Sequence, residues 1–258
     1  MSFDRLLLLL ATLAFLGALG HAVVALRKGQ WKESRWHWLP MAAGFALQCG
    51  FLYLRGQDHG RCPMTSLFEV LVFTGWSVVL LYLVVGPAYR LSLLGAFTAP
   101  VVAVMQGTAL LLLPDPPSPK IAPNPWLETH AALALIAYAA FALACVTGVM
   151  HLVQARLLKK HRIRALFHQL PPISDLAKAI RRLAAFGLLL LSLALLSAVP
   201  LGTSISGAKL TSTWMVWMLY AILNFLMWRH VVSARVISWM AVGGFVVPLV
   251  SLWIVSVK

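Results

Sequence analysis

Charge is scarce in this chain, and acidic charge scarcer still: 11% of its 258 residues are charged, with 7 Asp and Glu against 21 Lys and Arg. Together with 61% hydrophobic residues and a mean hydropathy of +0.86, that scarcity excludes an ordinary soluble domain. Cysteine is scarce too. Cys49, Cys62 and Cys145 form no CxxC pair, and two of them lie in apolar runs, where a thiol behaves as a small apolar side chain, which disfavours a thiol-redox transporter. The alternating pattern of outer-membrane strands is missing. So are internal repeats and the matched pair of interrupted helices that marks many secondary transporters.

What the chain has in abundance is long apolar runs. Spans over Leu6 to Leu26, Trp36 to Leu54, Met64 to Val85, Leu91 to Leu113, Trp126 to Val153, Leu183 to Leu201, Thr213 to Val232 and Val236 to Val257 each approach the roughly 20 residues a helix needs to cross a bilayer core. The expected fold class is therefore all-α, a polytopic membrane bundle of eight transmembrane helices forming one domain over residues 1–258, in a bacterial cytoplasmic membrane. The first run ends in small residues like a signal peptide, but it is too long and its start too weakly basic, so it reads as a helix.

A formal net charge of +14 would suggest nucleic acid for a soluble protein, but here the placement of the charges decides. Assigning loops alternately to the two sides leaves Arg5, Arg55, Arg61, Lys120, Lys209 and Lys258 on one side, and the other fifteen of the 21 cations on the opposite side. Positive charge marks the cytoplasmic side, so both termini are expected outside. The partner of this charge is membrane lipid with anionic headgroups, not nucleic acid.

Two loops stand out. The outer one, "PDPPSPKIAPNP", is too rich in proline to be helical. The inner one, residues 156–182, is a basic helical extension broken at Pro171 and Pro172, after which Ser174 is expected to cap a short amphipathic segment with Asp175 in its first turn. It reads either as a solvated connector or as a docking surface.

Ionisable groups inside or at the edge of spans cost several kcal/mol unless paired or solvated, so they point to sites. Glu69 lies five residues into the third span, roughly 7 to 8 Å along its axis. Thr65 and Ser66 can cap that helix, but the carboxylate needs a further partner. His130 stands four residues past Trp126, an interfacial anchor, at a similar depth. Its imidazole can ligate a metal or haem iron, or bond to a neighbouring helix. Lys209 and His59 belong to the same outer side, where Lys209 can neutralise Glu69 or attract an anionic group. His151 follows His130 by twenty-one residues on one helix, about 300° of rotation and 30 Å away, which two haem sites at opposite faces could use; the plainer reading, an interfacial histidine solvating its helix end, is preferred for His151.

Three stretches, "PMTSLFEVLVFTGW", "WLETHAALALIAYAAF" and "SGAKLTSTWMVWMLYAIL", resemble the integral-membrane cytochrome c assembly proteins of the CcsA/HemX type, and the segment from Gln154 to Gly202 is closer to the HemX-like branch. The resemblance implies a haem-handling accessory component of cytochrome c assembly, working with other assembly subunits and not catalytic alone. It makes His130 the candidate haem-iron ligand and Glu69, Lys209, His59 and Trp126 candidate cofactor contacts, with haem b as the cofactor. The HemX branch implies the alternative, a regulator or scaffold acting on a tetrapyrrole-biosynthesis enzyme; a transporter is a third class. The chain departs from the haem-lyase pattern where a tryptophan-rich acidic segment is replaced by "LGTSISGAKLTSTW", and where Asn224 and Phe225 stand in place of a Leu-His-x-Arg motif.

Overall fold

The computed structural model of the protein describes residues 3–27, 38–88, 93–112, 124–159, 171–204, 207–229 and 231–256. All regular elements among them are helical, and they form two compact units, residues 1–123 with 162–171 and residues 124–161 with 172–258. Within them Phe3–Ala25, Leu67–Gly86, Leu94–Leu111, Pro125–Lys159, Ile173–Leu201 and Ala234–Leu252 are long and apolar enough to cross a membrane, which makes this a multi-pass membrane protein.

Unit 1 holds α1 (Phe3–Arg27), α2 (Leu39–His59), α3 (Leu67–Ala88) and α4 (Leu94–Leu111). They run alternately up and down, and α1 and α3 each pack against both α2 and α4, closing a four-helix ring. Where α1 meets α2, the Phe15 ring occupies the space a side chain at Gly44 would need, so the missing Cβ lets the two backbones approach. The expected second span ended at Leu54; α2 instead continues to His59 and stops at Gly60, whose φ of 64° is the left-handed conformation that terminates helices. The correction has a cause: Arg55 is a buried helix residue with acidic partners and not a loop charge.

Unit 2 holds α5 (Pro125–Lys159), α6 (Ile173–Ala198), a 3-10 turn (Val199–Ser204), α7 (Gly207–Trp228), α8 (Ala234–Gly244) and α9 (Val246–Ser256). α5 has 35 residues, about 52 Å, so it exceeds the roughly 30 Å hydrocarbon core and carries Arg156 and Lys159 in its last turn. Its start is built by Asn124, whose Oδ1 accepts from the Trp126 and Leu127 amides, with Pro125 at the first helical position. α6 repeats the unit 1 device: the Phe141 ring of α5 fills the space over Gly187, and its other neighbour is the stacked Tyr220 ring of α7, 3.5 Å between centroids. Three expectations change here. Pro172, not Ser174, occupies the N-cap of α6, and the amphipathic segment and sixth span are one 26-residue helix, because Lys178, Arg181 and Arg182 are good helix formers with no breaker after Pro172. The eighth span is two eleven-residue helices joined at Phe245, since Pro248 has no amide hydrogen to give the Gly244 carbonyl.

Candidate functional site

The N-terminal ends of α1 and α3 and the C-terminal ends of α2 and α4 lie together at one end of unit 1, where the polar residues concentrate. Ser66 caps α3 by accepting the Glu69 amide at 3.2 Å, and Glu69 returns its carboxylate to the turn before: Oε2 accepts from the Thr65 amide and hydroxyl, both at 3.0 Å. This is a capping box displaced by one residue. The other oxygen, Oε1, accepts from Arg55 Nε at 3.0 Å. Arg55 also reaches Asp4 Oδ2 at 3.5 Å, and its guanidinium stands 5.1 Å from the Phe68 ring centre. Arg5, whose guanidinium is 5.8 Å from the same ring, donates to the Leu112 carbonyl at the end of α4 at 2.9 Å, where a cation suits the helix dipole.

His59 joins this cluster from the last turn of α2. Its Nδ1 donates to the Arg55 carbonyl at 3.0 Å, and its Nε2 lies 4.0 Å from Glu69 Oε1, so a proton on His59 makes a second cation for that carboxylate. Glu69 is 2% exposed and Arg55 8%, which makes this a buried ion pair with nearly every acceptor position used. The partner that Glu69 required is therefore Arg55, with Thr65. Sequence reasoning placed Arg55 in an outer loop although it stood among the outer cations, and a carboxylate buried on that side needed one of them. The side chain of Lys209 lies outside the described residues.

In unit 2, His130 sits one turn into α5 and is half-buried, and Trp126 is exposed at the helix start. His130 Nδ1 is 2.7 Å from the Ala194 carbonyl of α6. A carbonyl only accepts, so the proton is on Nδ1 and the Nε2 lone pair points elsewhere; among the described residues nothing bonds to it. Ser197 donates to the same carbonyl at 2.7 Å. A backbone oxygen fixing one imidazole nitrogen is the arrangement that orients a metal-ligating histidine through the other. The acceptor carries no side-chain signal in the sequence, which is why it was not foreseen.

At the opposite end of α5, His151 is 2% exposed. Ser238 of α8 gives its own proton to the Ala234 carbonyl at 3.0 Å, so its oxygen accepts from His151 Nδ1 at 2.9 Å. Nε2 of His151 is buried without a hydrogen-bond partner among the described residues. The two histidines thus share a helix but use different neighbours, α6 and α8. Asn224, where the haem-lyase pattern has its motif, donates to the Tyr220 carbonyl at 2.8 Å and the Ala184 carbonyl at 3.3 Å, so it ties α7 to α6. No group of three or more His, Cys, Asp or Glu side chains with metal-site geometry occurs among the described residues.

The family described as cytochrome C assembly protein matches residues 64–257 of this chain. Protein HemX of Brevibacillus brevis is 29% identical over 168 residues, covering 64% of this chain and 61% of that protein. Cytochrome c biogenesis protein CcsA of Chlorella vulgaris is 30% identical over 111 residues, or 41% of this chain and 35% of the relative, and CcsA of a Synechococcus strain is 32% identical over 111 residues, or 41% and 31%. The chain therefore spans about three fifths of the HemX relative and about a third of each CcsA relative.

Proposed function

Because the chain belongs to the cytochrome C assembly protein family, we propose that it is a haem-handling component of cytochrome c maturation, with His130 as the residue that meets haem iron. The observation that carries this reading is the His130 geometry: Nδ1 is bound to the Ala194 carbonyl at 2.7 Å on a half-buried ring, and Nε2 bonds to nothing among the described residues. Haem b would supply an iron that a neutral imidazole at His130 would hold. The chain's own contribution is to hold that imidazole. Ser197 and His130 converge on one carbonyl, so the orientation of the ring is coupled to the register of α5 against α6. Trp126, one turn earlier on the same helix, anchors that end at the membrane interface. Unit 1 contributes rigidity through Glu69 and His59. The protein works in the bacterial cytoplasmic membrane with both termini outside, beside other assembly subunits, and does not catalyse haem attachment alone.

The visible spectrum of the protein purified after expression with ample haem tests the reading. A Soret band is expected, lost in His130→Ala and shifted but retained in His130→Met, while the helix content of both variants matches the parent. A parent without a Soret band, or a His130→Ala variant that keeps it, overturns the assignment.

One observation favours a second reading: the HemX relative aligns over 64% of this chain and the CcsA relatives over 41%. On that reading the basic segment 156–182 docks a tetrapyrrole-biosynthesis enzyme. Replacing that segment with a neutral linker then changes the abundance of the enzyme and leaves the spectrum intact.

A further inference from the structure

About two turns inward from the ion pairs, unit 1 has a second polar layer that the function proposed above does not use. Gln48 of α2 and Gln106 of α4 are both 0% exposed. Neither polar atom of the Gln48 side chain has a hydrogen-bond partner among the described residues, and neither does Gln106 Nε2. The remaining atom, Gln106 Oε1, lies 3.3 Å from the Thr12 hydroxyl of α1, but that hydroxyl has one proton and a nearer acceptor, the Leu8 carbonyl at 2.8 Å. Buried amides left this incomplete are rare in native interiors unless water completes them.

The two amides converge. A Cβ placed on Gly75 of α3 would stand 3.7 Å from Gln48 Nε2 and 3.7 Å from Gln106 Nε2, so the nitrogens are within about 7.4 Å of each other and face one backbone notch. All four helices thus contribute to the layer, through Thr12, Gln48, Gly75 and Gln106. It is separated from the charged end by an apolar one. Leu8 lies between Asp4 and Thr12 on α1, Phe51 between Gln48 and Arg55 on α2, Val72 between Glu69 and Gly75 on α3, and these pack with Phe68 and Ala109.

We infer that the notch over Gly75 binds water, one or two molecules bridging the Gln48 and Gln106 amides inside the membrane-embedded part of unit 1. The chemistry selects the ligand. The layer holds no charged side chain to neutralise an ion, and the amide N–H groups facing the notch repel a cation. Donors and acceptors are both unmet, so the occupant must donate and accept. A Cβ on Gly75 would stand 3.7 Å from each amide nitrogen and 3.7 Å from Val102 Cγ1, so the notch admits an atom of about water's size without a clash.

Hydroxyl-radical labelling by brief X-ray exposure reads such water, because bound molecules label the side chains next to them whereas lipid-facing ones stay unlabelled. Two reporters are in place: Cys49 adjoins Gln48, Trp76 adjoins Gly75, and Trp76 Nε1 bonds to Cys49 Sγ at 3.2 Å. In the full chain in lipid nanodiscs, Cys49 and Trp76 are expected to label in the parent and to fall to background in Gly75→Ala. That Cβ makes only ordinary van der Waals contacts, so it displaces the water and leaves the fold. The same loss is expected in Gln48→Met/Gln106→Met, which keeps volume and removes the amides. A Gly-to-Ala change inside a helix ordinarily raises Tm; here it should lower Tm, since it strips the amides of their partner. Background labelling in the parent, labelling that survives in both variants, or a higher Tm for Gly75→Ala overturns the inference, the last in favour of direct pairing between the amides.

Discussion

In unit 1 the Glu69 carboxylate is met by Arg55 at 3.0 Å and twice by Thr65, while in unit 2 His130 and His151 each give their Nδ1 proton to an oxygen and meet no acidic side chain among the described residues. Unit 1 turns its ionisable groups on one another. Unit 2 fixes one nitrogen of each histidine, and the other bonds to nothing among the described residues. The first arrangement holds helices together, since a carboxylate saturated by three donors has little left for a ligand. The second holds a ring in place, since a neutral imidazole with an anchored N–H presents its lone pair in a set direction. Glu69, His59 and His130 all sit near helix ends, so their difference lies in what they face.

The strongest way to break this comparison is to remove the cation of unit 1. Arg55→Met takes from the buried Glu69 the guanidinium that meets it at 3.0 Å, and losing one partner of a buried pair costs about 3–5 kcal/mol. Thermal unfolding in detergent should show a large drop in Tm, partly restored in Arg55→Met/Glu69→Met, with the haem spectrum changed only as far as the fold is lost. An unchanged Tm would mean that the cluster is not a lock.

A smaller effect is expected in unit 2 from Ser238→Ala. It orphans the buried N–H of His151 at a cost of about 1–3 kcal/mol, and it frees that ring to change tautomer. Adding the spectrum of this variant sharpens the assignment: if His130 alone ligates haem, the Soret band stays while Tm falls. The smallest effect belongs to Ser66→Ala, which removes the cap of α3 at about 1 kcal/mol and leaves the Glu69 bonds to Arg55 and Thr65 in place.

Much of this architecture could be read from hydropathy, because the membrane requires long apolar helices and the chain supplies them. Boundaries failed where a single residue had two meanings. Arg55 looked like a loop charge, and only the approach of Asp4 and Glu69 from other helices makes it an interior one. Gly243, Gly244 and Pro248 do carry a visible signal for the break at Phe245, but an unbroken apolar run concealed it. At the site, Glu69 and His130 were legible as polar residues at unusual depth, and His59 only as an imidazole on the outer side. Their partners were less so: Ala194 acts through its carbonyl, which every residue has, and Gln48 and Gln106 are polar without being ionisable, so a search for charges passes over them.

The buried position of Arg55 also bears on how the chain enters the membrane. α2 is not among the stretches apolar enough to cross by composition, and a central arginine raises the insertion cost of a helix by about 2.5–3.5 kcal/mol, less near an end. During synthesis Asp4 has already emerged when Arg55 appears, and Glu69 follows only fourteen residues later. The guanidinium is thus bracketed in time by its two carboxylates. An arginine made between two acids in this way has a counter-charge on either side of it along the chain, which lowers the cost of carrying it into the bilayer.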